Sequence, residues 1–178
     1  MKRAIASAVF LLVFSSAAVF AQEDQKHAGP KPVTVDIINA EGHSVGTAVL
    51  SESHHGVKIT LNIKDMAPGA HLMHIHEFPK CEPPDFKSAG AHFNPTGASH
   101  DGHGPTGMPA GDIPNFVLTV AADGTAHTSV IAPYVTLGTE SNSVFSNGGT
   151  ALVFHAVAGH VSASAPPRIA CGVIARPE

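Results

Sequence analysis

Beyond residue 21 the chain shows no sustained helical period, which argues against a helical domain. It has no cluster of Lys or Arg: ten basic side chains are scattered among fourteen acidic ones, for a formal charge of −4. A mildly acidic chain without a basic patch lacks the electrostatic footprint of a nucleic-acid binder. Past Phe20 no apolar run is long enough to span a membrane. Cysteine is nearly absent, with only Cys81 and Cys171.

The first segment is an address. Lys2 and Arg3 precede an apolar run from Ala4 to Phe20 and a small residue, Ala21, at the expected cut. This order predicts a secretory signal peptide over residues 1–21, and no Cys follows to carry a lipid. Removing it leaves 157 residues, the size of one domain, with eight basic side chains against fourteen acidic ones, or −6. The protein is therefore expected to be periplasmic or secreted, with no membrane contact after cleavage. Residues 22–32, closing on Pro30-Lys31-Pro32, read as a loose leader, and His27 there as incidental.

From Val33 the pattern is that of strands. Val33–Asn39, Val45–Leu50 and Val57–Asp65 alternate apolar and polar residues, separated by Ala40-Glu41-Gly42 and Ser53-His54-His55-Gly56. Period-two runs broken by glycine-bearing turns every eight to twelve residues predict an antiparallel sandwich or barrel. Further strands are expected at Phe116–Ala121, Ala126–Val135, Thr150–Val157 and Cys171–Ala175. Between Phe78 and Pro114 alternation stops, in a stretch rich in Gly and Pro. A loop of that length in a compact domain is expected to be functional, and it carries Cys81, His92, His100, His103 and Asp112. His43, His54, His55 and His127 read as solvated turn or strand residues.

The centre of the chemistry is His71-Leu72-Met73-His74-Ile75-His76-Glu77. On a strand, His74 and His76 leave one face while Met73 and Ile75 point to the other. Two imidazoles side by side on a rigid strand are half a metal site, suited to copper, zinc, nickel or iron, or else a histidine-rich surface. His155 interrupts the most apolar strand; a lone histidine there is more often a satisfied core residue, yet it adds to a chain already carrying the pair. In an exported protein two cysteines ordinarily pair, which would tie the long loop to the last strand beside Arg168.

Three stretches, Gly69-Ala70-His71-Leu72-Met73-His74-Ile75-His76-Glu77, Ser88-Ala89-Gly90-Ala91-His92-Phe93-Asn94-Pro95 and Arg168-Ile169-Ala170-Cys171-Gly172-Val173-Ile174, resemble the copper/zinc superoxide dismutases. The likeness runs over essentially the whole chain after residue 21 and is strongest to bacterial exported members. It implies an all-β, eight-stranded antiparallel Greek-key barrel over residues 33–178 with one long metal-binding loop. It implies copper on His74, His76, His92 and His155, with His92 shared between copper and zinc, and a disulfide between Cys81 and Cys171. Arg168 corresponds to the arginine that positions superoxide, and His71 to a histidine that supports the site without binding metal. The activity implied is conversion of superoxide to oxygen and hydrogen peroxide, with His92 handling a proton and the Arg168 guanidinium holding the anion.

The zinc side departs from the family pattern. His92, His100 and Asp112 stand where three of four zinc ligands would be, but three residues before Asp112 comes Pro109, which has no ligand atom. Three ligands leave a weak or open site, with His103 as the candidate substitute. An Asp usual four residues after the late copper histidine is here Gly159, followed by His160; its loss is expected to loosen ligand orientation. The loop from Ala156 to Pro167 carries no formal charge, leaving Arg168, Lys80 and Lys87 to attract an anion. The expected function is an exported, copper-dependent superoxide dismutase with zinc weak or absent. The competing expectation is a copper-binding or copper-buffering protein without turnover. The residues do not decide between monomer and homodimer.

Overall fold

The structure is a computed structural model that describes residues 30–99, 107–156 and 166–177. The expected signal peptide, nearly all of the leader, His27, His100, His103, Gly159 and His160 lie outside the described residues.

Eight strands run in chain order: β1 (Val33–Asn39), β2 (Ser44–Ser53), β3 (Gly56–Ile63), β4 (Gly69–His76), β5 (Leu118–Val120), β6 (Ala126–Ala132), β7 (Thr150–Ala156) and β8 (Arg168–Ile174). They form one antiparallel sheet in the order β5-β4-β7-β8-β1-β2-β3-β6. β5 also packs against β6, so the sheet curls into a nearly closed barrel. The first three strands form a meander, whereas β3 to β4 and β6 to β7 cross the barrel, the Greek-key feature expected from the family likeness.

Alternation makes the wall two-sided. Val33, Val35 and Ile37 of β1, Val57, Ile59, Leu61 and Ile63 of β3, and Met73 and Ile75 of β4 all face one core. His43, His54, His55 and His127 are exposed, as their turn and outward positions imply. Two elements are three residues shorter than expected. The run Phe116–Ala121 contributes only three strand residues because β4 offers pairing only from Gly69 to His71. β6 stops at Ala132, where Pro133 can no longer donate to the ladder.

The long loop is ordered by two apolar anchors. Phe93 and Ile113 insert into the barrel core, and Phe86 and Ala89 pack with Ala151, Val153 and Cys171 on the outer face of β7 and β8. A 3-10 turn at Lys87–Ala89 lies in this second cluster, and the Cys81–Cys171 disulfide spans 90 residues and pins it to β8.

Candidate metal centre

The loop is stitched onto β4 by backbone bonds. Phe93 N–H donates to the Ile75 carbonyl (2.9 Å), Gly111 N–H to the Phe93 carbonyl (2.7 Å) and Ile75 N–H to the Gly111 carbonyl (2.9 Å). The backbones meet so closely at Gly111 that a Cβ there would strike the Ile75 carbonyl oxygen. With Phe93 and Ile113 turned into the core, the neighbouring side chains His92 and Asp112 are turned out toward β4. His92 makes an isolated bridge to His76. β7 pairs with β4 on its other side, placing His155 opposite Leu72.

The result is a cluster of four imidazoles from three segments: His74, His76, His92 and His155, one nitrogen of each lying within 4.8 Å of the others. The His74 ring stacks on His92 (centroids 4.2 Å apart) and meets His155 edge-on (5.2 Å). His76 and His155 are buried, and His74 and His92 are partly open to solvent. The expected copper set is thus brought together. His71 stays outside the cluster, buried, its Nε2–H donating to the Ala67 carbonyl (2.7 Å).

Backbone carbonyls fix two tautomers. His76 Nδ1 lies 3.0 Å from the Gly90 carbonyl and His155 Nδ1 3.0 Å from the Pro166 carbonyl. A carbonyl only accepts, so both Nδ1 atoms carry protons and both Nε2 atoms present lone pairs. Those two Nε2 atoms face each other at 3.3 Å. Opposed lone pairs in a buried site repel unless a cation lies between them, and histidines that bind metal through one nitrogen commonly donate the other N–H to a carbonyl. Burial also pulls His76 down to about 3 and pushes His155 below its ordinary value, the nearby His92 and Arg168 charges adding to both. These two buried rings resist protonation and offer neutral imidazole, the form that binds metal. The donor set therefore fits a copper ion.

Arg168 starts β8 and reaches over the loop. Its Nη1 donates to the Phe86 carbonyl (2.6 Å) and its Nη2 to the Gly90 carbonyl (2.7 Å). The Phe86 backbone is left-handed (φ 51°), which helps aim its carbonyl, and the Cys81–Cys171 bond closes the same segment. On the far side of His92, Nδ1 lies 2.6 Å from Asp112 Oδ1. Neither the shared Gly90 carbonyl nor the directness of the His92–Asp112 contact was apparent from side-chain identities. The only sequence signal was that Gly90 falls within the Ser88–Pro95 motif.

An all-β barrel carrying a half-buried four-histidine cluster beside a fixed arginine defines a class of metalloprotein. Residues 44–174 match the model of the copper/zinc superoxide dismutase (SODC) family. The chain is 43% identical over 170 residues to Cu-Zn superoxide dismutase 2 of Aquifex aeolicus, covering 92% of this chain and 93% of that one. It is 36% identical over 147 residues to the superoxide dismutase-like protein YojM of Bacillus subtilis, covering 79% of this chain and 74% of the relative. Among solved structures, a double mutant of a SOD-like protein from Bacillus subtilis superposes with a TM-score of 0.70 at 33% identity, covering 80% of this chain and 96% of that one. The Cu/Zn superoxide dismutase of Brucella abortus gives 0.61 at 28% identity, covering 81% and 99%. The chain belongs to the copper/zinc superoxide dismutase family.

Proposed function

We propose that the protein is a copper-dependent superoxide dismutase, converting two superoxide anions and two protons into oxygen and hydrogen peroxide. The observation that carries the reading is the pairing of the four-histidine cluster with Arg168. His74, His76, His92 and His155 would hold copper, which when bound supplies one-electron chemistry by alternating between Cu(II) and Cu(I). The partly open faces of His74 and His92 leave a route for a small anion, while His76 and His155 close the site from the core side.

Arg168 holds the anion. Two of its N–H groups are spent on the Phe86 and Gly90 carbonyls, which fixes the fork, and the remaining donors are free to pair with superoxide. His92 would hold and release a proton at Nε2, the nitrogen opposite Asp112. A copper store without turnover has no use for an arginine held in place by two carbonyls, so the enzymatic reading is preferred over copper buffering.

We infer that the protein is exported: a Cys81–Cys171 bond is stable in an oxidising compartment, in keeping with the signal peptide expected at residues 1–21. The test is direct. Purified chain lacking residues 1–21, loaded with one copper, is assayed for removal of superoxide. Dismutation well above the rate of free buffer is expected, and full copper occupancy without activity would overturn the proposal.

A further inference from the structure

The zinc half of this centre is where the chain departs from its family. Two donor atoms on one tetrahedral zinc lie about 3.3 Å apart, given zinc–ligand distances near 2.0–2.1 Å. That is the separation of the His76 and His155 Nε2 atoms on the copper side, 3.3 Å. His92 Nδ1 and Asp112 Oδ1 are only 2.6 Å apart. An ion touching both at ordinary distances would force them to an angle near 80°, far from tetrahedral. The spacing is that of a charge-assisted hydrogen bond, N–H donating to carboxylate.

The surroundings agree. Asp112 is 6% exposed, and its backbone is held by a turn in which Asp112 N–H donates to the Pro109 carbonyl (3.1 Å). Pro109 occupies the position where the family places a histidine ligand, is itself buried, and contributes no ligand atom. Gly111, bonded through its backbone to Phe93 and Ile75, sets the distance between this turn and His92.

We propose that the Asp112 carboxylate stands in for zinc: it accepts the Nδ1 proton of His92 directly and so holds the ring with its Nε2 lone pair toward the other three histidines. Asp112 is then a positioning residue that fixes the tautomer and angle of His92, doing for it what the Gly90 and Pro166 carbonyls do for His76 and His155. This rests on the reading of the four histidines as a copper site, and it makes zinc unnecessary to that site.

The test uses copper-loaded, zinc-free mature protein and Zn(II) as the only probe, read by the Cu(II) electron paramagnetic resonance spectrum and by bound zinc after desalting. In the wild type the spectrum is expected to stay unchanged in excess zinc, with zinc well below one per chain. Asp112→Asn is expected to alter the copper hyperfine pattern and weaken copper binding about 10- to 100-fold, and Asp112→Glu to restore part of both. One zinc per chain with a shifted copper spectrum, both lost in Asp112→Asn, would show Asp112 to be a zinc ligand and overturn the proposal. An Asp112→Asn protein with unaltered spectrum and copper affinity would overturn it equally. Should that variant fail to fold, nitrogen-correlated imidazole spectra of the reduced wild type decide: a His92 Nδ1 proton that persists in zinc supports the proposal, and its disappearance refutes it. None of these readouts depends on turnover, so a failed activity assay leaves them standing.

Discussion

Arg168 and His76 donate to the same acceptor: Arg168 Nη2 at 2.7 Å and His76 Nδ1 at 3.0 Å both end on the Gly90 carbonyl oxygen. A carbonyl has two lone pairs and can serve both. One loop atom therefore orients a member of the histidine cluster and the guanidinium, and it keeps their spacing constant whatever the loop's outer parts do. Gly90 adopts φ 78°, and a Cβ there would run into the side chains of Glu77 and Phe78, so the residue is held to glycine by both conformation and space.

Arg168→Ala is expected to lower the dismutation rate roughly 100-fold with copper still bound, because none of the four imidazoles is removed. Arg168→Lys should recover only part, since one ammonium on a flexible stem cannot reproduce a planar fork held by two carbonyls. Rate constants measured beside copper content check this. Loss of copper in step with loss of rate would mean that Arg168 is structural.

The wall of the barrel and the presence of a functional loop were legible, whereas the loop's internal geometry was not, for a physical reason. Strands such as β1 and β3 bury one face, so each core residue leaves a mark at period two, and β4 announced itself through His74 and His76 against Met73 and Ile75. In the loop the work is done by main-chain atoms. The Phe86, Gly90 and Pro166 carbonyls fix Arg168, His76 and His155, and a carbonyl is the same in every residue. Asp112 was recognisable as a site residue, but its hydrogen bond to His92 depends on a spacing set by Gly111 and Phe93 that no side-chain pattern encodes. β5 was overestimated because apolar residues from Phe116 to Ala121 continue past the point where β4 can pair.

Gly111→Ala tests that spacing. The added methyl would meet the Ile75 carbonyl and the Phe93 nitrogen, all backbone, so the loop must lift from β4. A destabilisation of at least about 2 kcal/mol is expected, together with weaker copper binding as His92 and Asp112 shift. Thermal melts with and without copper measure both. An unchanged melting temperature would show that the loop docks more loosely than its hydrogen bonds imply.

Removing the disulfide should affect stability and function separately. In the chain-entropy model a bond closing about ninety residues contributes roughly 4–5 kcal/mol, so Cys81→Ser with Cys171→Ser should melt about 10–20 °C lower. The same bond holds the segment that supplies the Phe86 and Gly90 carbonyls to Arg168. Below the new melting temperature the double variant is expected to keep copper yet lose rate. Full activity there would mean that the apolar cluster around Phe86 holds the loop unaided.

The copper-free protein should lose stability in acid at the histidines. His76 lies at about 3 when folded, chiefly through burial, and His155 is lowered for the same reason; an unfolded histidine titrates near 6.5. The unfolded state therefore binds the proton first. Stability from these groups is complete above about pH 6.5 and is lost as pH falls toward 3, with His76 alone worth on the order of 4 kcal/mol. Urea midpoints at pH 7.5 and 4.5 should differ clearly in the copper-free wild type and less in His76→Gln. Equal midpoints in the wild type would contradict the burial of these rings.

Ionic strength tests how superoxide arrives. Two charges close to Arg168 offset each other: Lys87 Nζ pairs with Asp85 Oδ2 at 2.6 Å, and both are exposed. The loop from Ala156 to Pro167 carries no formal charge, and the chain without residues 1–21 is net negative at −6. Such a surface offers Arg168 as a short-range attractor and little long-range pull, and salt screens mainly interactions beyond about 8–10 Å. The rate is expected to stay nearly flat between 10 and 200 mM salt. A steep decline would require a steering cation elsewhere, and Lys80→Gln and Lys87→Gln would identify it by flattening the curve.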